Sequence, residues 1–242
     1  MLNDFNEIPA RDRIIVALDC SADQAMRLAD QLKGKAKWIK IGMTLYYACG
    51  PAIIHYMKKL GFNVFLDLKL HDIPHQIHGA AFSAATEGAD MITMHTLGGE
   101  KMLEAGQDGV NKACELAGRE KTITLGITVL TSMDDEALSQ VGIHRSAAEQ
   151  VDLLAEVART SGISGVVASP QEASMLRELM GPEAYIVTPG VRPKGSDKGD
   201  QSRVATPAEA FAAGASHIVI GRPITQADNP AEAFETIAAE LD

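Results

Sequence analysis

The stretch NVFLDLKLHDIPHQ, residues 63–76, starts as a core strand and then breaks the pattern. Val64, Phe65, Leu66, Leu68 and Leu70 make it apolar enough to be buried, yet Asp67 and Lys69 stand two apart on one face and Asp72 follows. A charge on a buried strand costs roughly several kcal/mol unless it is paired. Near-continuous apolar runs are nevertheless what parallel strands show when helices cover both faces of the sheet. The reading of this segment therefore depends on whether its neighbours form such a sheet.

They do so from end to end. Seven further strand-like runs are RIIVALD (13–19), WIKIGM (38–43), DMITMHT (90–96), TITLGITVL (122–130), SGVVAS (164–169), AYIVTPG (184–190) and SHIVIG (216–221). Helical stretches lie between them. SADQAMRLADQLK (21–33) and SAAEQVDLLAEVARTSG (146–162) open on N-cap serines, Ser21 and Ser146. PQEASMLRELMG (170–181) starts with proline and ends at glycine, the usual asymmetry of helix ends. Gly61-Phe62, Gly88-Ala89 and Gly214-Ala215 mark returns into the next strand. This alternation predicts a single-domain α/β fold over residues 1–242, a (β/α)8 TIM barrel. An open, doubly wound sheet is the structural alternative. One connection is out of proportion: VRPKGSDKGDQSRVA (191–205), polar and glycine-rich, predicts a mobile lid loop over 190–205.

Composition narrows the function classes. The formal net charge of −10 argues against a nucleic-acid surface, and no apolar run of about 18 residues offers a membrane span. The N-terminal MLNDFNEIPARDR lacks a basic-then-apolar signal pattern, so a cytoplasmic protein is expected. Cys20, Cys49 and Cys114 show no metal spacing and read as reduced thiols. His71, His75 and His78 suggest a metal cluster at first sight, but only His71 and His75 share helical spacing, with Pro74 between them, and no metal site is expected.

In a (β/α)8 barrel the chemistry lies at the C-terminal ends of the strands. Those ends carry Asp19, Lys40, Asp67 and Lys69, His95, Thr131 and Ser132, Pro189-Gly190, and Gly221-Arg222. Taken singly, Asp19 reads as a helix cap, Lys40 equally as a snorkelling lysine, His95 as a hydrogen-bonded core or rim histidine, and Thr131 and Ser132 as turn residues. Asp67 and Lys69 resist such readings. An alternating Lys–Asp–Lys–Asp array would hold each charge by its neighbours and keep the lysine an ammonium acid. Arg222 at the eighth strand end, with Arg192, Lys194, Lys198, Gln201 and Arg203 from the long loop, predicts a phosphate grip.

At this point the sequence resembles the orotidine 5′-phosphate decarboxylase family. The resemblance rests on VALD (16–19), IKIG (39–42), FLDLKLHDIPHQ (65–76), VLTS (129–132), VTPGVRP (187–193), GDQSRVATP (199–207) and IVIGRPI (218–224), in order along nearly the whole chain. It implies the cofactor-free, bacterial type of enzyme, making UMP and CO₂ in pyrimidine biosynthesis. Lys69 would protonate C6 of the pyrimidine, Asp67 would lie beside the substrate carboxylate, and Lys40 would complete the network. The resemblance further implies a homodimer in which Asp72 serves the neighbouring site. Asp19, Lys40 and Asp72 would hold ribose hydroxyls, and Thr131 or Ser132 would contact the base. Arg192, Gln201, Gly221 and Arg222 would bind phosphate, with Pro189 at the base of the lid.

Related barrels carrying an Asp-x-Lys-x-x-Asp strand use Mg²⁺ to decarboxylate sugar phosphates or to make hexulose phosphates. The HDIP continuation and the GDQ-containing loop favour the nucleotide enzyme over them. A Schiff-base aldolase and a non-catalytic barrel that only binds phosphate ligands are the remaining rivals.

Overall fold

The structure, a computed structural model, describes residues 5–193 and 205–241. Eight parallel strands close into a barrel in sequence order: β1 (Ile14–Ala17), β2 (Trp38–Gly42), β3 (Asn63–Leu70), β4 (Met91–His95), β5 (Ile123–Ile127), β6 (Gly165–Val167), β7 (Tyr185–Thr188) and β8 (His217–Ile220). Closure pairs β1 with β8, Ile15 opposite Val219, so the open-sheet alternative is excluded.

The apolar runs owe their continuity to burial on both faces. Ile15, Ala17, Trp38, Phe65, Met91, Leu125, Val187 and Val219 point inward and fill the barrel as one cluster. The alternate residues, among them Ile14, Val16, Ile39, Ile41, Val64 and Leu66, point outward under the helices. Each buried aliphatic or aromatic side chain contributes about 1.5–3 kcal/mol. Few polar positions therefore occur along these strands before they reach the barrel mouth.

Helix starts follow the sequence with one exception. Ser146 and Thr206 each accept from the backbone N–H three residues on, with Glu149 and Glu209 completing capping boxes. Ser21 occupies the N-cap of Ala22–Leu32, but its hydroxyl makes no cap bond. The segment 170–181 divides into a 3₁₀ turn, Pro170–Glu172, and a helix, Ala173–Met180. β5 is shorter than its apolar run, because Thr128 leaves the ladder while its hydroxyl donates to the Val167 carbonyl at 2.8 Å. That departure frees Val129–Ser132 to form a loop over the mouth.

Cys20, Cys49 and Cys114 are free thiols. Among the described residues no helix is long and apolar enough to cross a membrane.

Candidate active site

The mouth of the barrel, at the C-terminal strand ends, holds a cavity of about 590 Å³, within the range of small-ligand sites. Its floor is apolar, formed by Phe65, Ile127, Val167 and Val219. Asp19, Lys40, Asp67, Lys69, Thr131, Ser132, Pro189, Arg192, Gly221 and Arg222 all line it. Strands scattered over most of the sequence thus converge on one space.

Four of these groups form a chain of opposite charges. The Lys40 ammonium donates to Asp19 Oδ1 at 3.0 Å and lies 3.4 Å from Asp67 Oδ2. Lys69 Nζ donates to both Asp67 oxygens, at 2.9 and 2.8 Å. Within one chain the array is therefore Asp19–Lys40–Asp67–Lys69, with Asp19 as its fourth member. Asp19 pairs with a lysine; this is not the helix cap it resembles when taken singly.

Burial decides how these charges behave. Lys40 and Asp67 are each only 8% exposed. Burial pulls the Lys40 ammonium down, but Asp67 and then Asp19 outweigh it and hold its pKa above the ordinary lysine value. Burial likewise pushes the Asp67 carboxyl up. Lys40 and Lys69, with hydrogen bonds from Lys69 and Thr93, outweigh that and hold it below the usual carboxylate range. Both groups stay ionised over an apolar floor, where fixed charge acts strongly on a bound ligand. Gly42 leaves the room this needs: a Cβ there would lie 2.7 Å from Asp19 Oδ1 and 3.3 Å from Lys40 Nζ.

The local backbone differs from a plain strand. Leu66 pairs with Ile92, but the next β3–β4 pairing is Leu70 with Met94, so β3 bulges between them. Lys69 sits in this bulge with φ 52°. Strict alternation alone would put Asp67 and Lys69 on one face. The bulge breaks that alternation between Leu66 and Leu70, and the long Lys69 side chain still brings its ammonium onto both Asp67 oxygens.

Asp72 stands outside the cavity. It is exposed, and its Oδ1 accepts from the Ile73 N–H at 2.6 Å. His95, half-buried on the rim, packs its ring 5.3 Å from that of His71, and its Nδ1 has no hydrogen-bond partner among the described residues. Burial, then His71 and Lys69, lower its pKa. Lys194, Lys198, Gln201, Arg203 and most of the 190–205 loop lie outside the described residues. The two ends of that loop are tied together, Arg192 N–H donating to the Ala205 carbonyl at 2.9 Å beside a Val191–Ala205 bridge.

Sequence reasoning missed Thr93, whose hydroxyl donates to Asp67 Oδ1 at 3.0 Å. Its only signal is a polar residue in the middle of the apolar run DMITMHT. Gln24 and Gln226, which also line the cavity, carry no such signal.

Comparison with known proteins places this geometry among relatives. Residues 12–237 match the family model described as "Orotidine 5'-phosphate decarboxylase / HUMPS family". The orotidine 5'-phosphate decarboxylase of Moorella thermoacetica is 47% identical over 100% of this chain and 96% of its own length. That of Geotalea daltonii is 45% identical, with coverages of 96% and 97%. A crystal structure of orotidine 5'-phosphate decarboxylase from Lactobacillus acidophilus superposes with a TM-score of 0.85 at 37% identity, covering 96% of this chain and 99% of that one.

Proposed function

The chain belongs to the orotidine 5'-phosphate decarboxylase / HUMPS family, and from that premise we propose that it converts orotidine 5′-phosphate to UMP and CO₂. The observation that carries the reading is the Asp19–Lys40–Asp67–Lys69 array standing over an apolar floor. The curated relatives at 43–47% identity bear the decarboxylase name, which favours this reaction over the hexulose-phosphate chemistry the family also covers.

The chemistry follows from preorganised charge. The bond from C6 to the carboxyl carbon breaks, CO₂ departs, and the electron pair remains on C6. The Lys69 ammonium stabilises that developing charge and then gives C6 its proton; solvent returns a proton to the amine. Asp67 is held by two lysines and Thr93, so it does not retreat when a substrate carboxylate is brought beside it. That contact is relieved as CO₂ leaves, which favours the transition state over the bound substrate. Lys40 keeps Asp67 ionised and, with Asp19, offers partners to ribose hydroxyls. Thr131 and Ser132 face the base. Arg192, Gly221 and Arg222 suit the phosphate, with Pro189 at the foot of the loop that carries Arg192; Gln201, which lies outside the described residues, would be a further ligand. Phosphate binding far from C6 supplies energy for assembling the site.

Asp72 fits a homodimer in which it enters the neighbouring site. The residues that follow β2, β3 and β4 leave large apolar side chains exposed: Tyr47 at 76%, Ile73, next to Asp72 in the chain, at 63% and Leu97 at 51%. A surface of this kind suits a partner. The free thiols suit a reducing cytoplasm.

An absorbance assay for loss of orotidine 5′-phosphate tests the reaction. Turnover is expected without added metal and in EDTA; activity that EDTA abolishes would favour the Mg²⁺-dependent rivals. Lys69→Ala is expected to lose nearly all activity with the fold retained, and full activity in that variant would refute the proton donor. Mixing Lys69→Ala with Asp72→Ala chains tests the shared site. Mixed dimers should recover activity that neither parent shows, and no recovery on subunit exchange would place Asp72 outside the chemistry.

A further inference from the structure

On the reading just proposed, Lys69 must aim one ammonium at one carbon, and it does so from a backbone that a regular strand does not provide. Between Leu66 and Leu70 β3 advances four residues while β4 advances two, from Ile92 to Met94. Within this bulge Lys69 has φ 52°, the one positive φ at a non-glycine residue among the described residues. That region is unfavourable for a residue with a Cβ, and it persists only where the surroundings hold it. The bulge also takes the Lys69 N–H off the regular ladder, and a buried N–H needs a partner.

Thr93 supplies that partner. It is fully buried at the centre of β4, and its Oγ1 accepts from the Lys69 N–H at 2.8 Å. The same oxygen donates to Asp67 Oδ1 at 3.0 Å. A threonine hydroxyl has one proton. An amide N–H only donates and an ionised carboxylate only accepts, so both bonds run in one direction. Other threonines near the mouth use their hydroxyls differently: Thr96 donates to the Ile127 carbonyl and Thr128 to that of Val167, bonds that merely tie strands together. Thr93 spends both of its bonds on the Asp67–Lys69 pair.

We propose that Thr93 is a positioning residue for the decarboxylation: its single hydroxyl locks the Lys69 bulge to the Asp67 carboxylate and so fixes the direction of the Lys69 ammonium. The role needs a donor and an acceptor on one atom, within reach of two groups two residues apart on β3. Valine has the shape of threonine with neither function, and serine has both functions without the methyl.

Steady-state kinetics of Thr93→Val and Thr93→Ser test this, beside the wild-type enzyme on orotidine 5′-phosphate. Thr93→Val should lose about 10- to 100-fold in kcat, the size expected for a lost hydrogen bond to a charged group, with KM within about threefold. Its kcat–pH profile should move its acid limb to higher pH, because Asp67 has lost a bond that favours its ionised form. Thr93→Ser should restore both kcat and the profile. Wild-type kcat and profile in Thr93→Val would overturn the proposal, as would Thr93→Ser being as impaired as Thr93→Val. A merely structural threonine would lower thermal stability in both variants and leave the profile in place. If Thr93→Val does not fold, Thr93→Cys makes the same comparison, since a thiol is a weak donor; wild-type kcat there overturns the proposal. Absence of turnover by the wild-type chain would instead refute the functional reading, so the two failures are distinguishable.

Discussion

The two ends of the barrel bury ionisable groups in opposite ways. At the mouth, Lys40 and Asp67 are buried and charged, each held so by a neighbour of the other sign. At the base, His217 on β8 is buried among Phe5, Trp38 and Tyr185, with ring centroids 5.6 to 6.0 Å away. Burial, and then the cations Arg13 and Lys37, push its pKa down to about 3. The barrel is the same, and at both ends desolvation is the largest influence and disfavours charge. What differs is the company: carboxylates repay burial with ion pairing, whereas aromatic rings and cations leave neutrality as the only inexpensive state. Charge is therefore kept where a reaction can use it, and removed where only packing is needed.

The sharpest way to break this comparison is Asp67→Ala. It leaves Lys69 without its carboxylate and Lys40 with Asp19 alone. Removing one partner of a buried pair costs about 3–5 kcal/mol, and removing a preorganised charge costs at least about 100-fold in rate. Urea midpoints and kcat measured on one preparation give both numbers. Activity within tenfold of wild type would mean that the array is structural.

The base should respond to pH and the mouth to different pH. His217 binds its proton more readily unfolded, near 6.5, than folded, near 3. Its contribution to stability is fully present above about pH 6.5 and is lost as pH falls towards 3, at up to about 1.4 kcal/mol per pH unit. Asp67 runs the same way in a lower window: its contribution is present above the unfolded value of 3.8 and is lost as pH falls through its depressed folded pKa. Lys40, with a raised pKa, contributes fully below 10.5 and loses that contribution as pH rises through its folded value. Urea midpoints from pH 7 to pH 4 for wild type and His217→Phe isolate the first term. The variant should show the shallower slope, and equal slopes would mean that His217 is not the neutral group of the base.

The smallest effect is expected from Gly42→Ala. The added Cβ crowds Asp19 Oδ1 and Lys40 Nζ, but the Asp19 side chain is 61% exposed and can swing aside. KM should rise by about threefold, equivalent to under 1 kcal/mol, with stability changed by no more than about 0.5 kcal/mol. A large loss of stability would show that the Asp19–Lys40 contact supports the fold more than ligand binding.

Eight apolar runs in alternation with helical stretches were enough to read the closed barrel, because strands buried on both faces are apolar at most positions. The same alternation placed Asp19, Lys40, Asp67, Lys69, Thr131, Ser132, Pro189, Gly221 and Arg222 at strand ends and Arg192 on the long loop after the seventh strand, and all ten line one cavity. Period and polarity are local, so the sequence by itself determined this much. It could not determine that β3 bulges at Lys69, that Thr93 receives the displaced N–H, or that Asp19 completes the array inside the chain while Asp72 faces outward. Each of these depends on which partner the neighbouring strand presents at one register position, or on where a short loop turns after its strand. Such choices are settled by hydrogen-bond satisfaction between segments distant in sequence, and only the tertiary structure brings those segments together.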